Sequence, residues 1–260
     1  MKDGKLITLE EKKRIQLEML KEIDAFCREN GIKYSLAFGT LLGAIRHKGF
    51  IPWDDDVDIM MPLPDMIRFK HSFHSKKMKY LDVDTERTYE FGFSRVCDLS
   101  TYKRGGLLRN SYGICIDLYP LVSIPKEKNE REFFFRKAEF LQTRRRKYLI
   151  WNKRIVRRLP IESVPGFHGA VKAYRDFMLN IEDYGKTGMY FIVAGPLNHR
   201  DKMSYDFDLF ARIIDVDFEG SKFCSISRYD EFLTMRYGHY MQLPPEDQRH
   251  PYHGGKYYRK

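Results

Sequence analysis

Apolar and polar positions alternate along this chain with two different periods. After Thr8, the residues Ile15, Met19, Leu20, Ile23, Phe26 and Cys27 recur at helical spacing until Asn30-Gly31. Thr8 followed by Glu11 forms a capping box at the start of that helix. Ile32–Phe38 reads as a strand, Thr40–His47 as a short helix, and Val57–Met61 as a second strand stopped by Pro62. A further helix is expected from Asp65. "YLDVDT", "FGFSRVCDL" and "YGICIDLYPL" read as three more strands. From Lys126 the pattern turns helical for roughly 55 residues, interrupted at Pro160 and Pro165. Short mixed elements return before a polar tail, "LPPEDQRHPYHGGKYYRK". No internal repeat or low-complexity segment is present. The expected class is α+β: a mixed sheet with flanking helices and a helical insertion. The organisation expected is a core over 1–125, a basic helical subdomain over 126–205 and a return to the core over 206–260.

Composition changes this picture in one respect. A hydrophobic content of 43% with 15% aromatics excludes a disordered chain. The formal net charge of +10 is concentrated, because residues 126–158 hold 13 Lys and Arg against 4 Glu. That stretch interleaves Phe133–Phe135, Tyr148 and Trp151 with its arginines, so beyond a solvated helix face it is a candidate peripheral contact with anionic membrane or a lipid-linked acceptor. No nucleic-acid motif accompanies the charge. The N-terminus lacks an apolar signal core, and the longest apolar run, Leu36–Ile45, is broken by glycine and too short to span a bilayer. The expected location is therefore the cytoplasm, with peripheral contact at the inner face of the cell membrane. Cys27, Cys97, Cys115 and Cys224 lie far apart with no metal or redox spacing, and are expected to be buried free thiols.

The candidate chemistry sits in "FGTLLGAIRHKGFIPWDDDVDIMM". On a strand Asp54, Asp56 and Asp58 would share one face while Val57 and Ile59 point to the core. Asp56 and Asp58 are the expected ligands of Mg²⁺ or Mn²⁺, with Asp54 in reserve and Asp55 turned to the adjoining loop. D-x-D spacing alone says little, since it recurs at Asp82–Asp84, Asp206–Asp208 and Asp215–Asp217, read as ordinary strand or turn acids. The first pair differs in its company. Gly39 and Thr40 open a short helix whose free backbone N–H groups suit a phosphate, and Ile116-Asp117-Leu118 supplies a third acid on a later strand. This is the layout of a nucleotidyltransferase fold, with Asp117 completing the metal site or accepting a proton. Arg46 and Arg95 are candidate phosphate cations. Trp53 is expected to anchor its loop, a stacking role being the alternative. His250 and His253 are spaced poorly for a metal site and take no assigned role.

"GIKYSLAFGTLLGAIRHKGFIPWDDDVDIMM" resembles the signature block of the LicD family of phosphocholine transferases, to which fukutin-related proteins are distantly similar. "GICIDLYPL" resembles that family's second block and "DFEG…YDEFLTMRYGHYMQLPPEDQRHPYH" its C-terminal one. The resemblance implies metal-dependent transfer of a phospho-alcohol, phosphocholine foremost, from CDP-choline or another CDP-alcohol. The acceptor would be a hydroxyl of a cell-surface glycan or lipid-linked glycan, such as a lipopolysaccharide or teichoic acid precursor. The alternative is nucleotidyl transfer from an NTP with release of pyrophosphate. Binding to nucleic acid is not expected.

Overall fold

The computed structural model describes residues 4–86, 89, 91–104, 112–155, 166–179, 189–193, 202–250 and 255–260. Helix α1 spans Leu9–Glu29, and the Thr8 hydroxyl caps it by accepting the Glu11 N–H at 3.1 Å. The reciprocal half of the expected capping box is replaced: the Glu11 carboxylate instead takes Arg259 from the far end of the chain. A two-residue strand β1 (Ser35–Leu36) leads into α2 (Phe38–His47). Next come β2 (Asp58–Pro62), α3 (Leu63–Ser72), β3 (Met78–Leu81), β4 (Ser94–Asp98) and β5 (Thr101–Arg104). The long strand β6 covers Cys115–Ile124. Helices α4 (Lys128–Ile155) and α5 (Phe167–Leu179) follow, then β7 (Met189–Ile192) and β8 (Ser204–Asp206). The C-terminal part carries β9 (Ile213–Phe218), β10 (Ser221–Ile226), α6 (Tyr229–Tyr237) and β11 (Lys256–Arg259). Pro160 and Pro165, expected to break the helical stretch, lie outside the described residues.

Among the described residues seven strands form one mixed sheet in the order β1-β2-β6-β4-β3, with β7 and β8 joined through β6. The β2/β6 pair is parallel and every other pairing in this sheet is antiparallel. On its other side β6 serves two partners in turn. Residues Cys115–Leu118 pair with β4, and Leu121–Ile124 pair with β7. Pro120, which has no N–H to give, falls in the gap between them, and so a proline is tolerated in a central strand. The sheet is therefore continuous through the 126–205 stretch, which contributes β7 and β8 as well as helices. Phe134 and Phe135 of α4 pack against Phe177 and Phe191 within the main core.

The last six residues are more than a polar tail. Strand β11 pairs with β5, and Leu6 bridges Tyr258, which draws both chain ends to one edge. Strands β9 and β10 form a hairpin whose two turn residues, Glu219 and Gly220, both have positive φ (50° and 72°). That is the two-residue turn whose twist matches paired strands. Asp215 and Asp217 stand exposed on β9, as expected of ordinary strand acids, and Asp206 and Asp208 pair with Arg228. Asp82 differs, being buried in a turn where it takes Lys70 and the N–H groups of Asp84 and Thr85.

The expectation of four free thiols is corrected for one pair. Cys97 and Cys115 sit directly opposite on β4 and β6, and they form a disulfide. Eighteen residues separate them in sequence, so only the strand register brings them together. Cys27 and Cys224 are free. No helix among the described residues is long and apolar enough to cross a membrane.

Candidate active site

The site begins with strand register. Asp58 opens β2 and pairs with Asp117 of the parallel strand β6, and Asp117 pairs in turn with Arg95 of β4. Residues paired across neighbouring strands project to the same face, so two carboxylates and a guanidinium stand in a row. Arg95 closes that row by donating from Nε and one terminal nitrogen to the two Asp117 oxygens, at 2.7 and 3.0 Å. Its guanidinium lies over the Phe91 ring at 3.9 Å. Arg95 is thus the partner of an acid. The Tyr119 hydroxyl also faces Asp117, at 3.4 Å.

Asp58 is placed differently. Its side chain is buried, and its Oδ1 has no hydrogen-bond partner. Burial, then the charges of Asp56, Asp117 and Asp54, push its carboxyl well above the usual range. Its backbone N–H donates to the Thr40 hydroxyl at 2.9 Å. Thr40 therefore ties α2 to β2, and α2 has no side-chain cap at its N-terminus.

Strand β2 begins only at Asp58, so the expected alternation of Asp54, Asp56 and Asp58 along one strand does not hold. Asp54–Val57 form the loop before it. The loop nevertheless folds its acids together, and one carboxylate oxygen each from Asp54, Asp55 and Asp56 lies within 4.8 Å of the others. Burial, with the neighbouring Asp56 charge, raises Asp54 to about 7. A Cβ at Gly39 would sit 2.5 Å from Asp54 Oδ2, so glycine is what lets this carboxylate close over the first turn of α2. Gly39 and Thr40 are thus both brought to the aspartates.

Asp55 is structural, with a partner the sequence did not indicate. It accepts from Lys12 of α1 at 3.1 Å in a nearly dry pair, while Lys13 holds the carbonyls of Ile51 and Pro52. Trp53 serves as an anchor between His47 and Arg249. Arg46 is not brought to the acids: its guanidinium is spent on the carbonyls of Tyr240 and Gln242, at 2.6 and 3.1 Å. His250 is exposed, and His253 lies outside the described residues.

Two features escaped sequence reasoning. Phe38 takes a left-handed conformation (φ 44°) at the strand-to-helix junction, held by edge contacts to Tyr119 and a tilted contact to Phe232. A bulky residue there is strained, and such strain collects where a turn must present groups to a site. The second is α6, which packs on α2 and carries Arg236 and Tyr237. Burial pushes the Tyr237 hydroxyl up, against the charge of the neighbouring Arg236, which pulls it down; Asp58 and Asp54 add smaller upward contributions. In the sequence, "MRYG" showed only as part of a C-terminal block, with nothing to tie it to the acids.

The donor set suits a hard divalent cation. Asp54 and Asp56 belong to the close carboxylate cluster, and Asp58, which feels the charges of Asp56, Asp117 and Asp54, has a buried oxygen without a partner among the described residues, which is what an ion would satisfy. Asp54 and Asp58, raised by burial first and by their neighbours' charges second, point the same way.

Residues 31–173 match the family model "LicD/FKTN/FKRP, nucleotidyltransferase domain". The lipopolysaccharide cholinephosphotransferase LicD of Haemophilus influenzae is 28% identical over 258 residues, covering 96% of this chain and 97% of that protein. Uncharacterised proteins of Rickettsia typhi and Rickettsia prowazekii are 33% and 38% identical over 97 and 79 residues, covering 37% and 30% of this chain and 31% and 30% of their own lengths. With Asp58 and Asp117 paired across the sheet and the family match spanning more than half of its 260 residues, the chain belongs to the LicD family.

Proposed function

We propose that this protein transfers phosphocholine from CDP-choline to a hydroxyl of a lipopolysaccharide-type glycan. The reading is carried by the pairing of Asp58 with Asp117 in a chain aligned nearly end to end with a lipopolysaccharide cholinephosphotransferase. In this reaction the acceptor oxygen forms a bond to the choline-bearing phosphorus, the bond to the CMP oxygen breaks, and the hydroxyl proton leaves to a base or to water. Asp56, Asp58 and Asp117 would hold Mg²⁺ or Mn²⁺, with Asp54 beside them, and the ion would supply charge neutralisation on the diphosphate. Gly39 and the open N-terminus of α2 offer backbone N–H groups to a phosphate. Arg95 orients Asp117 by its two-point contact.

The lipid-linked character of such an acceptor gives the outer face of α4 a role. Phe133 and Phe140 are 69% and 67% exposed two turns apart, and Arg136, Lys137, Arg144 and Lys147 stand exposed around them. Exposed aromatics among cations suit a bilayer interface with anionic headgroups.

The test is incubation with Mg²⁺, a de-O-acylated lipooligosaccharide acceptor and a panel of CDP-choline, CDP-ribitol, CDP-glycerol and NTPs, reading CMP and pyrophosphate. The expected result is CMP from CDP-choline with choline on the glycan, lost on chelation and in Asp58→Ala. Pyrophosphate from an NTP without CMP would instead establish nucleotidyl transfer.

A further inference from the structure

The sequence offers Arg46 and Arg95 as phosphate cations, and the fold commits both elsewhere, one to two carbonyls and one to Asp117. Arg236 is in the opposite situation. It lies in the last turn of α6, one turn beyond Phe232, which is buried between Phe38 and Tyr205. Its guanidinium sits over the Phe38 ring at 5.5 Å and near the Tyr237 ring at 5.8 Å. Phe38 meets Tyr119 edge-on at 5.1 Å, and Tyr119 faces Asp117, while Tyr237 lies in the field of Asp58 and Asp54. Arg236 therefore borders the acidic row. Its Nε is buried without a hydrogen-bond partner, and no carboxylate among the described residues pairs with it.

A guanidinium on two aromatic faces, part-buried and with a donor left over, is costly to keep unless an anion completes it. The acids close by are drawn together as the expected cation site, so the anion must come from outside the chain. We propose that Arg236 is a binding residue for the diphosphate of the nucleotide-linked donor. This rests on the transferase reading for the identity of the donor. The anion site itself does not depend on turnover. The contact is a charge-assisted fork to phosphate, which lysine can make only as a point charge.

The experiment measures pyrophosphate binding by titration calorimetry in wild type, Arg236→Gln and Arg236→Lys, alongside melting temperatures and the KM for CDP-choline. Wild type is expected to bind pyrophosphate, Arg236→Gln to bind it about tenfold more weakly at an unchanged melting temperature, and Arg236→Lys to fall between. The KM for CDP-choline should rise in parallel, with the KM for the glycan acceptor unmoved. Pyrophosphate binding that is absent in wild type, or equal in wild type and Arg236→Gln, overturns the proposal. Should Arg236→Gln fail to fold, Arg236→Lys decides: affinity equal to wild type overturns the two-point contact. Wild type that binds pyrophosphate but releases no CMP from any CDP-alcohol sinks the transferase reading and leaves the anion site standing.

Discussion

Replacing Asp58 with asparagine should move stability in opposite directions with and without a divalent cation. The side chain is 6% exposed, its Oδ1 has no partner, and Asp56, Asp117 and Asp54 all act on it with like charge. Without metal, asparagine removes that repulsion and offers an amide N–H to the neighbouring carboxylates, a gain of about 1–2 kcal/mol. At about 2–4 °C per kcal/mol for a chain of this size, the variant should melt roughly 2–8 °C above wild type in EDTA. With Mg²⁺ at about 100 times its dissociation constant, wild type gains about 2.7 kcal/mol from binding, and the variant loses most of it. The two melting curves should therefore change order when Mg²⁺ replaces EDTA, as read by scanning calorimetry. An Asp58→Asn variant that melts below wild type in EDTA and still shows the full Mg²⁺ shift would refute the assignment of Asp58 as a ligand.

Lys12→Met removes the lysine from a nearly dry ion pair with Asp55, and should cost about 3–5 kcal/mol in urea unfolding, with much of the loss recovered in Lys12→Met/Asp55→Leu. Burial alone would raise Asp84, but hydrogen bonds from Arg175 and Lys70 outweigh it and hold its carboxyl at about 2. Its contribution is thus present above pH ~4 and lost as pH falls towards 2. Discounted for a side chain 36% exposed, it is about 1 kcal/mol, so Asp84→Asn should be destabilised at pH 7 and match wild type near pH 2. Dithiothreitol should lower the melting temperature of wild type by the equivalent of about 2–4 kcal/mol and leave Cys97→Ser unmoved. Phe133→Ser/Phe140→Ser with Arg144→Glu should reduce co-sedimentation with phosphatidylglycerol vesicles severalfold at unchanged melting temperature. Equal sedimentation would remove α4 as a contact face.

The parts of the fold legible in the sequence were those fixed by local chemistry. Thr8 capping α1, the helix after Gly39, the proline stop at Pro62 and the apolar β6 each follow from a few neighbouring residues. Asp58 and Asp117 were legible as candidates because an acid inside an apolar strand is costly unless it has work to do. What stayed hidden depends on register between distant segments. Nothing near Cys97 announces Cys115, nothing near Arg95 announces Asp117, and Lys12 reads as one more polar helix position until α1 lies against the 50–55 loop. The strand expected over the four aspartates failed for a related reason. Period-two alternation describes a strand only where a neighbour supplies the ladder, and β6 reaches β2 only from Asp58 onward.

The gap at Pro120 has a mechanical consequence. Because β4 leaves β6 before β7 joins it, one continuous strand links the carboxylate of Asp117 to the layer of β7, β8 and α4. Four residues of extended chain, about 13 Å, separate Asp117 from Leu121, where β7 first pairs, and an extended strand in a sheet barely stretches. If α4 rests on a bilayer, β6 fixes the separation between the layer that carries α4 and the carboxylate of Asp117. A glycan too short to span that separation would go unmodified however well it fitted the site.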